Sequence, residues 1–199
     1  MVKLKILAIF FLLTFQSCYL LVDQAVLPIP RDIKNTGINL DGYYYTIEYC
    51  HPDKSSYQIN NFFIFYENGI FMGGINYAIG NDCNTKEKIL STVDVKLKSK
   101  LFPNANSNSK GIIRIISDSI FIQSVGGRFG DCIQTYSGKV LNDTTFIITY
   151  GSSTRCAGDS YEERQPDTLN LLFHYRKFGP KPDSSAYMQY LYELNKKSE

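Results

Sequence analysis

The stretch NFFIFYENGIFMGGINY, residues 61–77, decides the fold of this chain. Aromatic and aliphatic side chains predominate in residues 61–66 and 70–77, and such runs favour strands. Between them stands Asn68-Gly69, a dipeptide that favours a type I′ turn because both central residues of that turn need positive φ. The stretch therefore predicts two antiparallel strands joined by a tight hairpin.

Runs of the same character predict six further strands on either side of this hairpin. They cover residues 42–49, 111–116, 119–123, 134–141, 144–150 and 168–178. Ser117-Asp118 and Asn142-Asp143 separate neighbouring runs and favour tight turns. Eight strands with a tight turn at every second connection predict an all-β fold, an up-and-down antiparallel barrel, because closure removes exposed edges. The interior of such a barrel is nearly filled by side chains or holds one small ligand.

Two segments have helical spacing instead. Residues 85–102, between the third and fourth strands, place apolar side chains at helical intervals and predict one short helix. Residues 184–197 place Tyr187, Leu191 and Leu194 on one helical face and predict a C-terminal helix. We expect the barrel to span residues 39–179 and the tail to span residues 180–199.

Alternation along each strand predicts which side chains face the barrel interior. The predicted inward set on strands 6, 7 and 8 is Tyr136, Gly138 and Val140, then Phe146, Ile148 and Tyr150, then Leu169, Leu171, Phe173 and Tyr175. The first strand leaves two alternatives open. Either Tyr43, Tyr45, Ile47 and Tyr49 face inward as the more apolar set, or Tyr44 does.

The cysteines share one place in the predicted topology. The long connections after strands 1, 3, 5 and 7 contain Cys50, Cys83, Cys132 and Cys156. Alternate connections of a meander fall at the same end, so all four lie at one end of the barrel. An even number in an exported protein predicts two disulfides. We favour Cys50–Cys83 with Cys132–Cys156, which join neighbouring loops; Cys50–Cys156 with Cys83–Cys132 is the alternative. Their spacing fits no zinc site, and we expect no metal or cofactor.

The N-terminus has the layout of a secretory signal. Lys3 and Lys5 precede an apolar core over residues 6–15, and Gln16-Ser17-Cys18 follows. A membrane-spanning helix would barely reach the minimum of about 17 residues and would include those three polar positions. An ordinary cleaved leader that happens to contain a cysteine is the other alternative.

Residues 1–18 resemble a bacterial lipoprotein signal, in which a cysteine directly follows the cleavage site and is lipidated. The resemblance implies a signal peptide over residues 1–17, a lipid anchor on Cys18 and a tether over residues 18–38. Tyr19, rather than Asp, follows the cysteine, and no acidic run comes next. By resemblance to sorting rules, we expect an outer-membrane lipoprotein of the cell envelope, on the periplasmic face rather than the surface.

Four motifs resemble small Bacteroidetes lipoproteins: LDGYYY (residues 40–45), FFIFYENG (62–69), VLNDTTFIIT (140–149) and PKPDSS (180–185). The resemblance implies a lipocalin-like (calycin) barrel. The lipocalin hallmark Gly-x-Trp corresponds to Gly42-Tyr43-Tyr44, and this chain contains no Trp. By this analogy Tyr44 points inward. None of the four motifs carries a catalytic residue.

Charge excludes one class of partner. Removal of Lys3 and Lys5 with the leader leaves 19 basic residues against 19 acidic ones. A nucleic-acid-binding protein needs a clustered basic face, so we expect no nucleic acid. A catalytic pair of Cys50 and His51 would need a free thiolate, which a disulfide removes, and we expect no enzymatic activity.

The end of the barrel that carries the four cysteines, which we call the mouth, offers aromatic and basic side chains suited to binding: Tyr49, His51, Tyr57, Arg128, Tyr150 and Arg155. The first expected function is a non-catalytic envelope lipoprotein that binds a small apolar or amphipathic ligand in the barrel. The alternative is a protein-interaction module of the cell envelope with a filled barrel and functional mouth loops.

Overall fold

The computed structural model of the 199-residue chain describes residues 30–50, 52–53, 56–75, 80–98, 110–126, 132–153, 167–185 and 188–189. The strands are β1 (Gly42–Tyr45), β2 (Glu48–Tyr49), β3 (Tyr57–Ile59), β4 (Phe62–Phe65), β5 (Ile70–Gly74), β6 (Gly80–Asn84), β7 (Lys110–Ile116), β8 (Ser119–Gly126), β9 (Cys132–Asn142), β10 (Thr145–Ser153) and β11 (Asp167–Lys177). Helix α1 (Lys86–Lys98) lies between β6 and β7.

Eight strands form a closed antiparallel barrel in the order β1-β4-β5-β7-β8-β9-β10-β11. Closure is made by β1, which pairs with β4 on one side and with β11 on the other. Each of these eight strands overlaps one of the eight runs that the sequence predicts, and they follow one another around the barrel in chain order. The up-and-down barrel is therefore confirmed.

The hairpin at Asn68-Gly69 forms, but its turn type differs from the prediction. Gly69 has a φ of 77°, whereas Asn68 is not among the described residues with positive φ. The Gly69 amide donates to the Tyr66 carbonyl at 3.0 Å and the Tyr66 amide donates to the Ile70 carbonyl at 2.9 Å. The loop thus has three residues, with glycine alone in the left-handed region, as in a type I turn closed by a bulge.

Aromatic rings fill the barrel interior through its lower half, nearer the tight turns. Six of them are at most 1% exposed: Tyr44, Phe63, Phe65, Phe71, Phe146 and Phe173. The rings of Phe146 and Phe173 stack with centroids 4.6 Å apart, and Phe63 lies 5.2 Å from Phe173. Each of the six rings lies against another, so side chains occupy this part of the interior.

The tight-turn end of the barrel is closed by residues 31–40. The Ile33 amide donates to the Glu67 carbonyl at 2.9 Å, and the Asn39 amide donates to the Asp143 carbonyl at 3.0 Å. Ile33 is 2% exposed and Ile38 is 7% exposed, because both cover the aromatic interior. The sequence assigns both to the tether, yet the structure places them in the core: apolar side chains lower the free energy by covering an open barrel end.

The chain after β11 returns to this same end and is fixed there by Lys181. Its amine donates to the carbonyls of Leu40 at 2.5 Å and Phe65 at 2.8 Å, and it lies 4.6 Å from the centroid of the Tyr66 ring. Burial lowers the pKa of Lys181. The Tyr66 hydroxyl donates to the Pro182 carbonyl at 2.7 Å. This partly buried amine therefore joins the segment before β1 to the segment after β11.

Helix α1 confirms the helix predicted between the third and fourth barrel strands. Its buried side chains Ile89, Leu90, Val93 and Leu97 pack against the outer face of β1, β4 and β5. Glu87 in the first turn and Lys96 and Lys98 in the last complement the helix dipole. No helix within the described residues is long and apolar enough to span a membrane. Residues 99–102, 186–187 and 190–197 of the two predicted helices lie outside the described part.

The inward faces follow the alternation with one exception. Tyr44 faces the interior, and Tyr43 and Tyr45 lie on the outside beneath α1. The predicted inward sets of the sixth and eighth barrel strands are confirmed. Tyr150 is the exception: the register shifts between Ile148 and Tyr150, and Tyr150 is 40% exposed. Gly151 points inward instead, because a Cβ there would meet the side chains of Leu169 and Tyr136. A β-bulge therefore reverses the alternation.

Candidate functional site

A second, smaller sheet extends from the mouth, the barrel end opposite the tight turns. It has the order β2-β3-β6, and we call it the flap. Glu48 pairs with Gln58 and Tyr49 with Tyr57, while Tyr57 also pairs with Asn84. The sequence predicts β2 as the end of the first strand and does not predict β3 or β6. The strand predicted over residues 42–49 is divided, and its second half leaves the barrel.

Thr46 and Asn61 mark the point where the flap leaves the barrel. The Thr46 amide donates to the Asn61 carbonyl at 3.1 Å, and Asn61 Nδ2 donates to Thr46 Oγ1 at 2.8 Å. The two residues are 4% and 2% exposed, so their polar groups need partners within the protein. Their mutual hydrogen bonds supply these partners, which fixes the direction of the flap.

Glu48 carries the carboxylate of the flap and is surrounded by amide donors. Its Oε2 accepts from Asn60 Nδ2 at 2.6 Å and from Gln58 Nε2 at 3.2 Å, and its Oε1 accepts from Asn61 Nδ2 at 3.4 Å. Hydrogen bonds to a carboxylate are stronger than neutral ones. The side-chain amides of three residues therefore engage this carboxylate, which orders the flap on the face opposite Tyr49 and Tyr57.

The disulfide Cys50–Cys83 joins the two outer strands of the flap, with its Cα atoms 6.0 Å apart. This confirms one of the two disulfides that we favour. Cys132 begins β9 at the mouth, as expected, and Cys156 lies outside the described residues. The Cys50 amide donates to the Ser56 carbonyl at 3.0 Å and closes the connection between β2 and β3. The flap is thus cross-linked at its tip.

Two of the predicted mouth residues meet on the flap. The rings of Tyr49 and Tyr57 have centroids 5.3 Å apart. Tyr57 is half-buried and packs against the apolar cluster beneath α1, whereas Tyr49 is 55% exposed. Tyr150 lies near the mouth on β10 with its ring turned outward. His51, Arg128 and Arg155 lie outside the described residues, as does Cys18.

The sequence does not identify the ion pair that holds α1 against the barrel. Arg176 Nη2 donates to Asp94 Oδ2 at 2.7 Å, and its Nε lies 3.3 Å from both carboxylate oxygens. The Tyr43 hydroxyl donates to Asp94 Oδ1 at 3.0 Å. Burial raises the pKa of Tyr43, so the phenol stays protonated as a donor. The spacing of these residues along the chain, 51 and 82 positions, carries no signal of the contact.

Few groups suited to catalysis lie among the described residues of this region. His174 lies on the outer face of β11 and is largely exposed. Its partial burial, and then the charge of Lys86, lower its pKa and favour the neutral imidazole. Among the described residues, no group of three or more His, Cys, Asp or Glu side chains is arranged to hold a metal ion. What the described mouth offers is a cross-linked flap with an exposed aromatic ring.

Comparison with protein-family models, curated proteins and solved structures finds no match to this chain.

Proposed function

We propose that this protein is a non-catalytic interaction module of the cell envelope, which binds a protein partner through the flap and loops at the mouth. The observation that supports this function is the filled lower half of the barrel. Six interior rings are at most 1% exposed, and Ile33 and Ile38 cover the end beneath them. Of the two functions expected from the sequence, this packing favours the interaction module.

The flap suits a binding role because its aromatic side chains are held in place before a partner arrives. Tyrosine is enriched at protein interfaces, where one end of the ring is buried and the hydroxyl stays polar. The disulfide Cys50–Cys83 and the Glu48 hydrogen bonds restrict the flap, so less conformational entropy is lost on binding. Tyr49 and Tyr150 are the described mouth residues that we assign to the contact.

The proposal includes a lipid anchor on Cys18, which rests on the resemblance of residues 1–18 to a lipoprotein signal. Residues 31–40 run across the tight-turn end, so the chain before them leaves from the end opposite the mouth. An anchored protein would then present the flap away from the bilayer. The lipocalin-like identity of the barrel and the periplasmic location belong to the same proposal.

Site-specific photo-crosslinking in the bacterial host tests the interaction. A photoreactive phenylalanine derivative replaces Tyr49, Tyr150 or, as a matched control, Phe121, which is 39% exposed on the barrel wall. We expect the same protein adduct from positions 49 and 150 and none from position 121. Identical adducts from all three positions, or no adduct from either mouth position, would contradict the interaction module.

A small ligand near the mouth is the second candidate, because the large interior side chains there are less buried than those below. Tyr136, Leu169 and Leu171 are only half-buried where they line the upper barrel. Native mass spectrometry of the protein isolated from its host distinguishes the two functions. A bound molecule of a few hundred daltons, retained at one equivalent, would favour the ligand.

A further inference from the structure

Two large aliphatic side chains are exposed beside one tight turn. Ile116 is 64% exposed and Leu141 is 54% exposed. Ile116 pairs with Ser119 across the turn, and Ser119 pairs with Lys139 on the next strand. The Val140 amide donates to the Asp118 carbonyl at 2.7 Å, which places Leu141 next to the turn formed by Ser117 and Asp118. The two side chains therefore flank this turn on the outer rim of the barrel.

Ile116 and Leu141 lie on the rim of the tight-turn end, where the N-terminal part of the chain enters the barrel. Residues 31–39 cross from the turn after β4 to the turn after β9, and the turn between β7 and β8 lies between those two along the rim. If Cys18 is the anchored residue, residues 18–29 form the link to the bilayer. Twelve residues span at most about 40 Å when fully extended. The exposed rim is thus confined close to the membrane surface.

We propose that Ile116 and Leu141 dock this end of the barrel onto the lipid bilayer. The inference rests on the lipid anchor of the proposed function. A short tether raises the effective concentration of the bilayer at the rim to roughly the millimolar range, so a weak apolar contact suffices. The anchor supplies the attachment, and the two side chains set the orientation of the barrel on the surface.

The charges at this end agree with an apolar contact. Three ion pairs lie here among the described residues. The Nζ atoms of Lys34 and Lys139 are each 3.6 Å from a carboxylate oxygen, of Glu67 and Asp118 respectively, and Lys177 Nζ is 3.4 Å from Asp41 Oδ2. Each pair is neutral, and the other described charges at this end, Arg31 and Lys181 against Asp32, Asp143 and Asp183, also nearly balance. Contact with lipid should therefore be insensitive to salt, unlike binding through a basic patch.

The absence of Trp from the chain allows a direct test. The full chain is produced with its own leader in a bacterial host, and the processed protein is reconstituted into phosphatidylcholine vesicles with and without dibrominated lipid. Each variant carries one Trp: I116W, L141W or, as the control at the mouth, Y150W. The fraction of protein that floats with the vesicles reports attachment through the anchor. The wavelength and quenching of the Trp emission report contact of that residue with lipid.

We expect all three variants to float with the vesicles. Emission from I116W and L141W should shift to the blue and be quenched by brominated lipid, equally at low and high salt, whereas Y150W should show neither effect. Flotation without quenching of I116W and L141W would refute the docking and leave the anchor intact. Equal quenching of Y150W would refute the orientation, and a blue shift without quenching would indicate a second protein copy instead of lipid. Failure to float would refute the anchor and the docking together.

Discussion

Tyr44 combines apolar packing and polar contacts in one side chain. Its ring contacts Phe65, Phe146 and Tyr175, with centroids 5.1–5.5 Å apart. Its hydroxyl donates to the Asp143 carbonyl at 2.7 Å and accepts from the Asn39 amide at 3.0 Å. One residue thereby joins the interior of β1 to the chain segment that closes the barrel and to the turn after β9.

Removal of this hydroxyl should weaken the closed end of the barrel. We expect Tyr44→Phe to lower the free energy of unfolding by about 1–2 kcal/mol, because two hydrogen bonds are lost while the ring is kept. Urea denaturation measures the change as a lower midpoint with an unchanged m-value. Tyr150→Phe is the matched control, since its ring is exposed, and it should change stability by less than about 0.5 kcal/mol. Equal effects of the two variants would contradict the role of Tyr44.

Individual residues also show which parts of the candidate site could be predicted from the sequence and which could not. In the predicted meander, Tyr49 ends the first strand at the mouth and Tyr57 lies in the connection that follows, and the structure brings their rings together. The orientation of Tyr150 was not predictable, because a bulge adds one residue without a clear mark in the sequence. Asp94 and Arg176 were not predictable as partners either, since α1 and β11 meet only in the folded protein.

Among the elements, the eight barrel strands were predictable because each is a run of β-forming side chains bounded by turn residues. Of the flap, β2 was predictable as the end of the first strand, whereas β3 and β6 were not. β3 has three residues and β6 reads GNDCN, which contains no residue that favours strands. These strands form because β2 continues from β1 and because Cys50 and Cys83 are joined. Tertiary contacts, rather than local propensity, determine them.

Loss of the disulfide should loosen the flap more than the barrel. We expect the double variant Cys50→Ser, Cys83→Ser to be less stable by about 2–4 kcal/mol, because the cross-link closes a loop over a separation of 33 residues. Hydrogen exchange should increase first in β2, β3 and β6. Protein reduced by dithiothreitol provides the control and should match the variant in those strands. Unchanged exchange in the flap would contradict this role of the cross-link.

The contact of α1 with the barrel depends on Asp94. We expect Asp94→Asn to lower stability by about 1–2 kcal/mol, because the charged hydrogen bonds with Arg176 become neutral ones. Hydrogen exchange along α1 should increase relative to exchange in the barrel. Lys88→Gln also removes one charge from α1, on its exposed face, and should change stability by less than about 0.5 kcal/mol. Equal exchange in the two variants would show that apolar packing alone holds the helix.

On the scale of the whole molecule, buried phenols should set the alkaline limit of stability. Burial raises the pKa values of Tyr43, Tyr44 and Tyr66 above the ordinary value of 10.0. The folded state therefore keeps protons that the unfolded chain loses near pH 10. These phenols contribute fully to the free energy of unfolding below pH 10. Above pH 10 each phenol's contribution falls by about 1.4 kcal/mol for every pH unit.

Absorbance at 295 nm, followed together with far-UV circular dichroism, measures this alkaline transition. We expect the exposed tyrosines to ionise near pH 10 with the barrel intact, and the buried set to ionise only in the cooperative step that unfolds it. A single ionisation near pH 10 with unchanged circular dichroism would contradict the packing of the interior. Tyr44→Phe, which has one buried phenol fewer, should show a smaller absorbance change in the unfolding step.

The closed meander also determines how the molecule resists mechanical load. The N-terminal chain enters at the tight-turn end, and the flap lies at the mouth. A pull between these two points runs along the strands, and antiparallel hydrogen bonds lie perpendicular to them. The backbone hydrogen bonds that join β1 to β4 and to β11 would be sheared together rather than broken one after another. A barrel held at one end and pulled at the other is therefore loaded in its stiffest direction.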